Sequence, residues 1–249
     1  MCQRLLFVVH QLYQTPAVAF VWIDALKHLN KHEHPEAAVN RSCELYLRVA
    51  AGHPDGWPDL EAAVRFARPS AVLITGVGAA ADAALLRPFM AAARRLDLAV
   101  MIENDIHLAK ELDADGVHLR AGSDALAEAR RLLGEDKSVG MSCVLSRHEA
   151  MVMAEGGADY IAFGEFGVRA DAGAAEVTDM IEWWADIFEV PCVAWGQERY
   201  SNDELRGLVG AGADYLSVAL GAGDAADAAH RYAAMARLVG THAGLTPSA

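Results

Sequence analysis

The feature of this sequence that most constrains its fold is a repeated alternation, from Glu44 onward, of short apolar runs and longer charged, Ala-rich stretches. The apolar runs do not alternate with polar residues, which favours strands that are buried on both faces of a parallel sheet. The stretches between them have helical periodicity. Eight such units in about 200 residues predict a (β/α)8 TIM barrel over residues 43–240.

The eight strands are predicted at Glu44–Val49, Ala71–Thr75, Leu98–Ile102, Gly116–Leu119, Ser138–Ser142, Tyr160–Phe163, Cys192–Trp195 and Tyr215–Ala219. The helices are predicted at Asp59–Ala67, Ala80–Leu96, Asp105–Leu112, Asp124–Leu133, Ser146–Glu155, Glu176–Phe188, Asn202–Val209 and Ala225–Leu238.

Residues 1–42 do not share this pattern. We expect them to form an N-terminal extension that is helical or poorly ordered, and we expect residues 241–249 to be a tail. His28 and His32 stand four residues apart and could face a metal from one side of a helix. A solvated amphipathic segment that ends at Pro35 is the favoured interpretation, because no cysteine or carboxylate cluster accompanies them.

The composition excludes several classes of partner. With 21 basic against 34 acidic residues and a net charge of -13, the chain lacks the basic face that nucleic acids and anionic membranes require. The longest apolar run near the N-terminus, Ala17–Ile23, is far shorter than a membrane-spanning helix. The four cysteines form no CxxC pair, which is typical of buried reduced thiols, and we expect a cytoplasmic protein.

An Ala-Asp pair enters three of the predicted strands. The aspartates are Asp115, Asp159 and Asp214, ahead of strands four, six and eight. Residues at the N-terminal rim of a barrel usually serve stability, so we interpret these aspartates as ties for the preceding turn.

Two groups of residues at the C-terminal ends of the strands could carry chemistry. Gly196, Gly221 and Gly223 follow strands seven and eight, where many barrels bind phosphate through backbone N–H groups. Tight turns into helices would explain the same glycines. Glu103, Asp105 and Asp124 follow strands three and four and could hold Mg²⁺, although Asp105 and Asp124 also suit the start of a helix.

Several stretches resemble the thiamine phosphate synthase family and its relative, the thiazole tautomerase. They are Asn104-Asp105, Ala-Asp-Gly-Val-His-Leu at 114–119, Val-Gly-Met-Ser at 139–142, Gly-Ala-Asp-Tyr-Ile-Ala-Phe-Gly at 157–164 and Pro-Cys-Val-Ala-Trp-Gly at 191–196. Their order and spacing agree with the family over Glu44–Leu238. The resemblance implies a (β/α)8 barrel that is often a homodimer. It also implies a Mg²⁺-dependent reaction in which a thiazole phosphate displaces pyrophosphate from hydroxymethylpyrimidine pyrophosphate.

The sequence departs from the family pattern where the strands end. The basic cluster that the family has after strand two is absent, since no Lys or Arg occurs between Ser70 and Leu86. An ungapped alignment places Asn104 where the family has its metal-binding aspartate. After strand four, Arg120-Ala-Gly-Ser replaces the family's Gly-Gln-x-Asp, so that Asp124 comes one place late. Gln197 replaces the second glycine of a Gly-Gly turn.

Three functions remain open from the sequence. The first is a thiamine phosphate synthase-like enzyme in which Arg120, Arg169 or Arg199 replaces the missing basic residues. The second is a non-catalytic binding or regulatory relative, and the third is another phosphate-handling barrel enzyme with Glu103 or Glu165 as a base. The predicted substrate-binding residues are Asn104, Arg120, Ser142, Arg169, Gly196, Gly221 and Gly223, and the predicted Mg²⁺ ligands are Asp105 and Asp124.

Overall fold

A computed structural model shows eight parallel strands that close into a barrel in sequence order. The structure describes residues 43–51, 60–61, 64, 68–76, 83–120, 122–143, 145–165, 173–197, 200–219 and 234–239. Each strand pairs in parallel with the next, and the eighth pairs with the first. The predicted (β/α)8 barrel is therefore confirmed. The predicted N-terminal extension and the tail lie outside the described residues.

The strands are β1 (Glu44–Ala50), β2 (Ala71–Thr75), β3 (Ala99–Glu103), β4 (Gly116–Leu119), β5 (Ser138–Cys143), β6 (Tyr160–Phe163), β7 (Cys192–Trp195) and β8 (Tyr215–Ala219). The helices are α1 (Ala83–Arg95), α2 (Ile106–Glu111), α3 (Ser123–Leu133), α4 (Arg147–Glu155), α5 (Ala174–Ile187) and α6 (Asn202–Gly210) within the described part of the chain. Residues 234–239 are also helical.

Short polar side chains fix where several helices begin. The Ser201 side chain accepts a hydrogen bond from the Glu204 backbone N–H, and the Glu204 carboxylate accepts one from the Ser201 N–H, which makes a full capping box. Ser146 caps α4 through the backbone N–H of Glu149. Ser146 therefore acts as a simple N-cap.

The three repeated aspartates tie neighbouring strands together at the N-terminal rim of the barrel. One carboxylate oxygen of Asp115 accepts the Val100 N–H at 2.7 Å, and Asp214 accepts the Cys192 N–H at 2.8 Å. Asp159 accepts the Val139 N–H of β5 at 2.6 Å in the same way. Each aspartate therefore fastens the strand that it precedes to the strand before it. The stabilising role predicted for the repeat is confirmed, but the bonds reach the neighbouring strand and not the preceding turn.

The barrel is filled by side chains from alternate strand positions. Tyr46, Leu73, Met101, Ala162, Val193 and Trp195 form this inner cluster, which is separate from the larger core between the strands and the helices. Glycines make room for the larger rings: a Cβ on Gly140 would lie 1.9 Å from the Tyr160 ring. No helix in the described part of the chain is long and apolar enough to span a membrane.

Candidate functional site

Arg120 is the centre of a charged cluster at the C-terminal end of the barrel. It follows β4, and its guanidinium donates from Nη2 to Glu103 Oε1 at 2.7 Å and from Nε to Glu165 Oε1. The second oxygen of Glu103 accepts the Gly76 N–H at 2.8 Å. Both carboxylates are buried, whereas 45% of the Arg120 side chain is exposed. The two carboxylates therefore fix the cluster inside the barrel, and the Arg120 guanidinium is the part of it that solvent can reach.

A buried histidine, His118, contacts this cluster from the barrel interior. His118 Nε2 lies 3.2 Å from Glu165 Oε2 and 3.3 Å from Ser142 Oγ, and Nδ1 lies 3.0 Å from the Tyr160 hydroxyl. The Tyr160 hydroxyl is in turn 2.8 Å from that of Tyr46. A continuous polar chain thus runs through the barrel interior from Tyr46 to the charged cluster at its end.

The surroundings of Glu165 favour its charged form. Burial raises the pKa of the Glu165 carboxyl, but the hydrogen bond and charge of His118, together with Arg120, outweigh burial and hold the pKa below its usual value. For Arg120, burial lowers the pKa, but the two glutamates outweigh it and the net shift is upward. The guanidinium and the Glu165 carboxylate are therefore both ionised at neutral pH.

An aromatic and amide surface lies beside the charged cluster, at the end of β7. The Trp195 ring stacks on His118 with 5.3 Å between ring centroids, and the Arg48 guanidinium lies 4.5 Å from the Trp195 centroid. Arg48 also donates to the Gly196 carbonyl. Gln197 is buried and donates from Nε2 to the Gly164 carbonyl at 2.9 Å. The Gly196 carbonyl is therefore occupied by a cation of the chain itself.

Among the predicted substrate-binding residues, the structure brings Arg120, Asn104, Ser142 and Gly196 to this end of the barrel. Asn104 has a φ of 55° and accepts the Arg120 backbone N–H through Oδ1 at 2.8 Å. Asn tolerates this left-handed conformation better than most residues do. Ser142 is buried near His118. Arg169, Gly221 and Gly223 lie outside the described residues.

The two predicted metal ligands begin helices. Asp105 is the N-cap of α2 and accepts the Leu108 N–H at 2.8 Å, while Asp124 is exposed in the first turn of α3. Among the residues that the structure describes, no three His, Cys, Asp or Glu side chains are grouped as a metal site. The helix-start interpretation of both aspartates therefore agrees with their positions, and their role as ligands stays a prediction.

The pairing of Glu103 and Glu165 with Arg120 is not evident from the sequence. There the two glutamates are alternative bases after different strands, and His118 is one residue of the family-like stretch 114–119. A period of two from Met101 to Glu103, and from Gly116 through His118 to Arg120, could have revealed that these side chains share the inner face. Their mutual contacts depend on the register between β3 and β4, where Glu103 is paired with His118.

Comparisons with known proteins identify the family. A family model described as thiamine monophosphate synthase matches residues 62–221. The thiamine-phosphate synthase of Erythrobacter litoralis is 41% identical over 149 residues, covering 58% of this chain and 69% of that protein. The one from Rhodospirillum centenum is 42% identical over 137 residues, covering 54% and 63% respectively. The chain therefore spans about two thirds of the length of these curated relatives.

A solved structure agrees with the fold. Thiamine phosphate pyrophosphorylase from Pyrococcus furiosus superposes with a TM-score of 0.65 at 18% identity, covering 82% of this chain and 98% of that one. At this identity the likeness concerns the fold alone. The family match covers well over half of the residues, however, and so the chain belongs to the thiamine monophosphate synthase family.

Proposed function

We propose that this protein joins hydroxymethylpyrimidine pyrophosphate to a thiazole phosphate and releases pyrophosphate, as a thiamine phosphate synthase does. The observation that carries the proposal is the family match over residues 62–221, which extends from before β2 to beyond β8. In a TIM barrel the reaction takes place where the strands end. The substrates would therefore bind beside Arg120 at the C-terminal end of this barrel.

The described residues suit parts of this reaction. As the bond to pyrophosphate breaks, negative charge grows on the leaving group and requires preorganised positive charge. Arg120 supplies a partly exposed guanidinium for it, and Asn104 and Ser142 supply polar side chains beside it. Gly221 and Gly223 remain proposed phosphate contacts through their backbone N–H groups, and Arg169 remains a proposed second cation. The Gly196 N–H already donates to the Ser217 carbonyl at 2.9 Å and is not available for this role.

Thiamine-phosphate synthases in general use Mg²⁺. We propose that Asp105 and Asp124 hold it here, since Mg²⁺ takes one or two carboxylates together with waters and substrate phosphates. One oxygen of Asp105 is engaged by the Leu108 N–H, and the exposed carboxylate of Asp124 is accessible from solvent. When bound, the ion would neutralise charge on the pyrophosphate. We also expect the protein to be a cytoplasmic homodimer.

One observation favours a second candidate, a binding protein without catalytic activity. Arg120 is paired with two buried carboxylates, so that the described charged cluster has one positive against two negative charges, apart from His118. A pyrophosphate would have to replace at least one of these carboxylates as the partner of Arg120. An enzyme without a free cation at this position would lose a large part of the stabilisation of its leaving group.

Calorimetric titration with hydroxymethylpyrimidine pyrophosphate, with and without Mg²⁺, would distinguish the candidates. The proposed enzyme binds this ligand in a Mg²⁺-dependent way and forms thiamine phosphate when the thiazole phosphate is added. Arg120→Ala should then lower kcat/KM by about 100-fold or more, the usual effect of removing one preorganised donor. Arg87→Ala is a matched control, because Arg87 forms an exposed ion pair with Glu111 on the outer helices.

The outcomes separate the two candidates. Mg²⁺-dependent binding without turnover would favour the binding protein. No binding of the pyrimidine pyrophosphate under either condition would contradict the proposed enzyme. An Arg120→Ala variant that is as active as Arg87→Ala would show that the cluster around Arg120 does not take part in the reaction.

A further inference from the structure

A cavity of about 250 Å³ lies at the N-terminal end of the barrel, opposite the charged cluster. Its walls come from the first residues of the strands and include Ala71 and Ala99. Met101 belongs to the inner cluster, so Ala99, two positions earlier on β3, lies on the same inner face. Ala71 stands in the same relation to Leu73 on β2. Because these side chains are small where barrels usually have bulky branched ones, this layer leaves a space that the described residues do not fill.

Three tyrosines, Tyr46, Tyr160 and Tyr215, line this cavity. The hydroxyls of Tyr46 and Tyr160 lie 2.8 Å apart, and the Tyr160 hydroxyl lies 3.0 Å from His118 Nδ1. These two hydroxyls are therefore engaged with each other and with the barrel interior. What Tyr46 and Tyr160 offer to the cavity is ring surface.

The rim of the cavity is acidic and reaches solvent. Asp115 and Ser138 line the cavity and are exposed. Asp159 is paired with Arg130 at 2.5 Å, whereas Asp115 accepts the Val100 N–H and belongs to no ion pair among the described residues. No lysine or arginine is among the described residues that line the cavity. The negative charge of Asp115 is therefore not balanced at the rim.

The environment of Tyr215 agrees with this charge distribution. Burial raises the pKa of the Tyr215 hydroxyl, and the charges of Glu44 and Asp214 raise it further. Negative charge that opposes the ionisation of a phenol attracts a cation placed at the same position.

We propose that this cavity is a binding site for a small organic ammonium ion with an apolar body, separate from the charged cluster. Tyrosine rings attract such a cation through their π-electrons, the interaction by which aromatic sites recognise quaternary ammonium groups. The Asp115 carboxylate adds an attraction between opposite charges, and it would repel a phosphate or a carboxylate. Because the cavity lies at the other end of the barrel, this inference does not depend on the proposed function.

Calorimetric titration of the full chain with choline and with 3,3-dimethylbutan-1-ol tests the proposal. The two probes have the same shape, but only choline carries a positive charge. The wild type should bind choline about tenfold more tightly than the alcohol. Tyr215→Leu keeps an apolar side chain but removes one ring, so it should weaken the binding of choline about fivefold and change the binding of the alcohol little.

Two alanine variants locate the site. Ala99→Leu places a larger side chain in the cavity and should abolish the binding of choline. Ala91→Leu is the matched control, because it adds the same side chain at an exposed position of α1 and should bind choline as the wild type does. Tyr215→Leu provides an independent test if Ala99→Leu does not fold.

Three results would overturn the proposal. The first is that the wild type shows no saturable binding of choline below about 10 mM. The second is that it binds choline and the alcohol equally. The third is that folded Ala99→Leu binds choline as tightly as Ala91→Leu, which would place the bound cation elsewhere on the protein.

Discussion

Replacing Glu165 with glutamine should lower the free energy of unfolding by about 2–3 kcal/mol at pH 7. The Glu165 side chain is 1% exposed and pairs with both His118 and Arg120. Removing one partner of a fully buried ion pair costs about 3–5 kcal/mol, because the other charge is left uncompensated. Here the cost is smaller, since Arg120 is 45% exposed and keeps its bond to Glu103.

The difference between the wild type and Glu165→Gln should depend on pH. Burial alone would raise the pKa of Glu165, but His118 and Arg120 hold it below its usual value near 4.5. The unfolded chain therefore takes up the proton first as the pH falls. The stability that Glu165 contributes is fully present above about pH 5 and is lost progressively below the usual pKa of about 4.5.

Urea unfolding at pH 7.5 and at pH 3.5 measures this effect. Glu111→Gln is the control, because Glu111 also pairs with an arginine, Arg87, but at an exposed site where such pairs contribute about 0–1 kcal/mol. We expect the loss in Glu165→Gln to exceed the loss in Glu111→Gln at pH 7.5 and to shrink at pH 3.5. Losses of equal size in the two variants, or a loss in Glu165→Gln that is the same at both pH values, would refute the reasoning.

Two further predictions concern the barrel interior and the thiols. Gly140→Ala should lower stability by about 2–4 kcal/mol, because the new Cβ displaces the Tyr160 ring. Gly207→Ala is the control, because Gly207 is exposed in α6 and its Cβ would meet only the Thr178 hydroxyl oxygen at 3.8 Å, so stability should not fall; chemical denaturation measures both. A loss of similar size in both variants would contradict this. Burial raises the pKa of Cys43 and of Cys143 to about 12, so mass spectrometry should find both alkylated far more slowly at pH 8 in the folded than in the urea-unfolded chain. Equal rates in the two states would exclude the buried thiols.

Most of the barrel could be predicted because its strands are buried on both faces. Five of the eight strands have the predicted bounds, among them Gly116–Leu119 and Tyr160–Phe163. β1 and β5 are one residue longer at their C-terminal ends, and β3 is shifted by one residue at both ends. β3 extends to Glu103 because this side chain is held inside the barrel by Arg120 and the Gly76 N–H. In the sequence, the acidic Glu103 marks the end of the apolar run. Only its bonds to Arg120 and to the Gly76 N–H show that it is the last residue of the strand.

The candidate site was harder to predict, since its contacts join residues that are far apart in the chain. Arg120 is a candidate from the sequence because cations suit phosphates, but nothing in its neighbourhood along the chain indicates that Glu165, 45 residues away, holds it. Asp105 could be assigned to a helix start from local sequence alone, because the N–H that it accepts lies three residues ahead. A contact between residues a few positions apart can be predicted from the local sequence. The charged cluster, by contrast, depends on which strands are neighbours in the barrel.

Glu103, Arg120 and Glu165 lie at the ends of β3, β4 and β6, and their positions depend on one another. Arg120 bonds to both carboxylates. At the other end of the barrel, by contrast, the aspartates that fasten the strands form the ties expected of the fold. A cation introduced without the two carboxylates, or the carboxylates without the cation, would leave buried charge unpaired. The three residues therefore act as a unit, and a variant that replaces one of them alone with an uncharged residue should lose stability before it gains affinity for pyrophosphate.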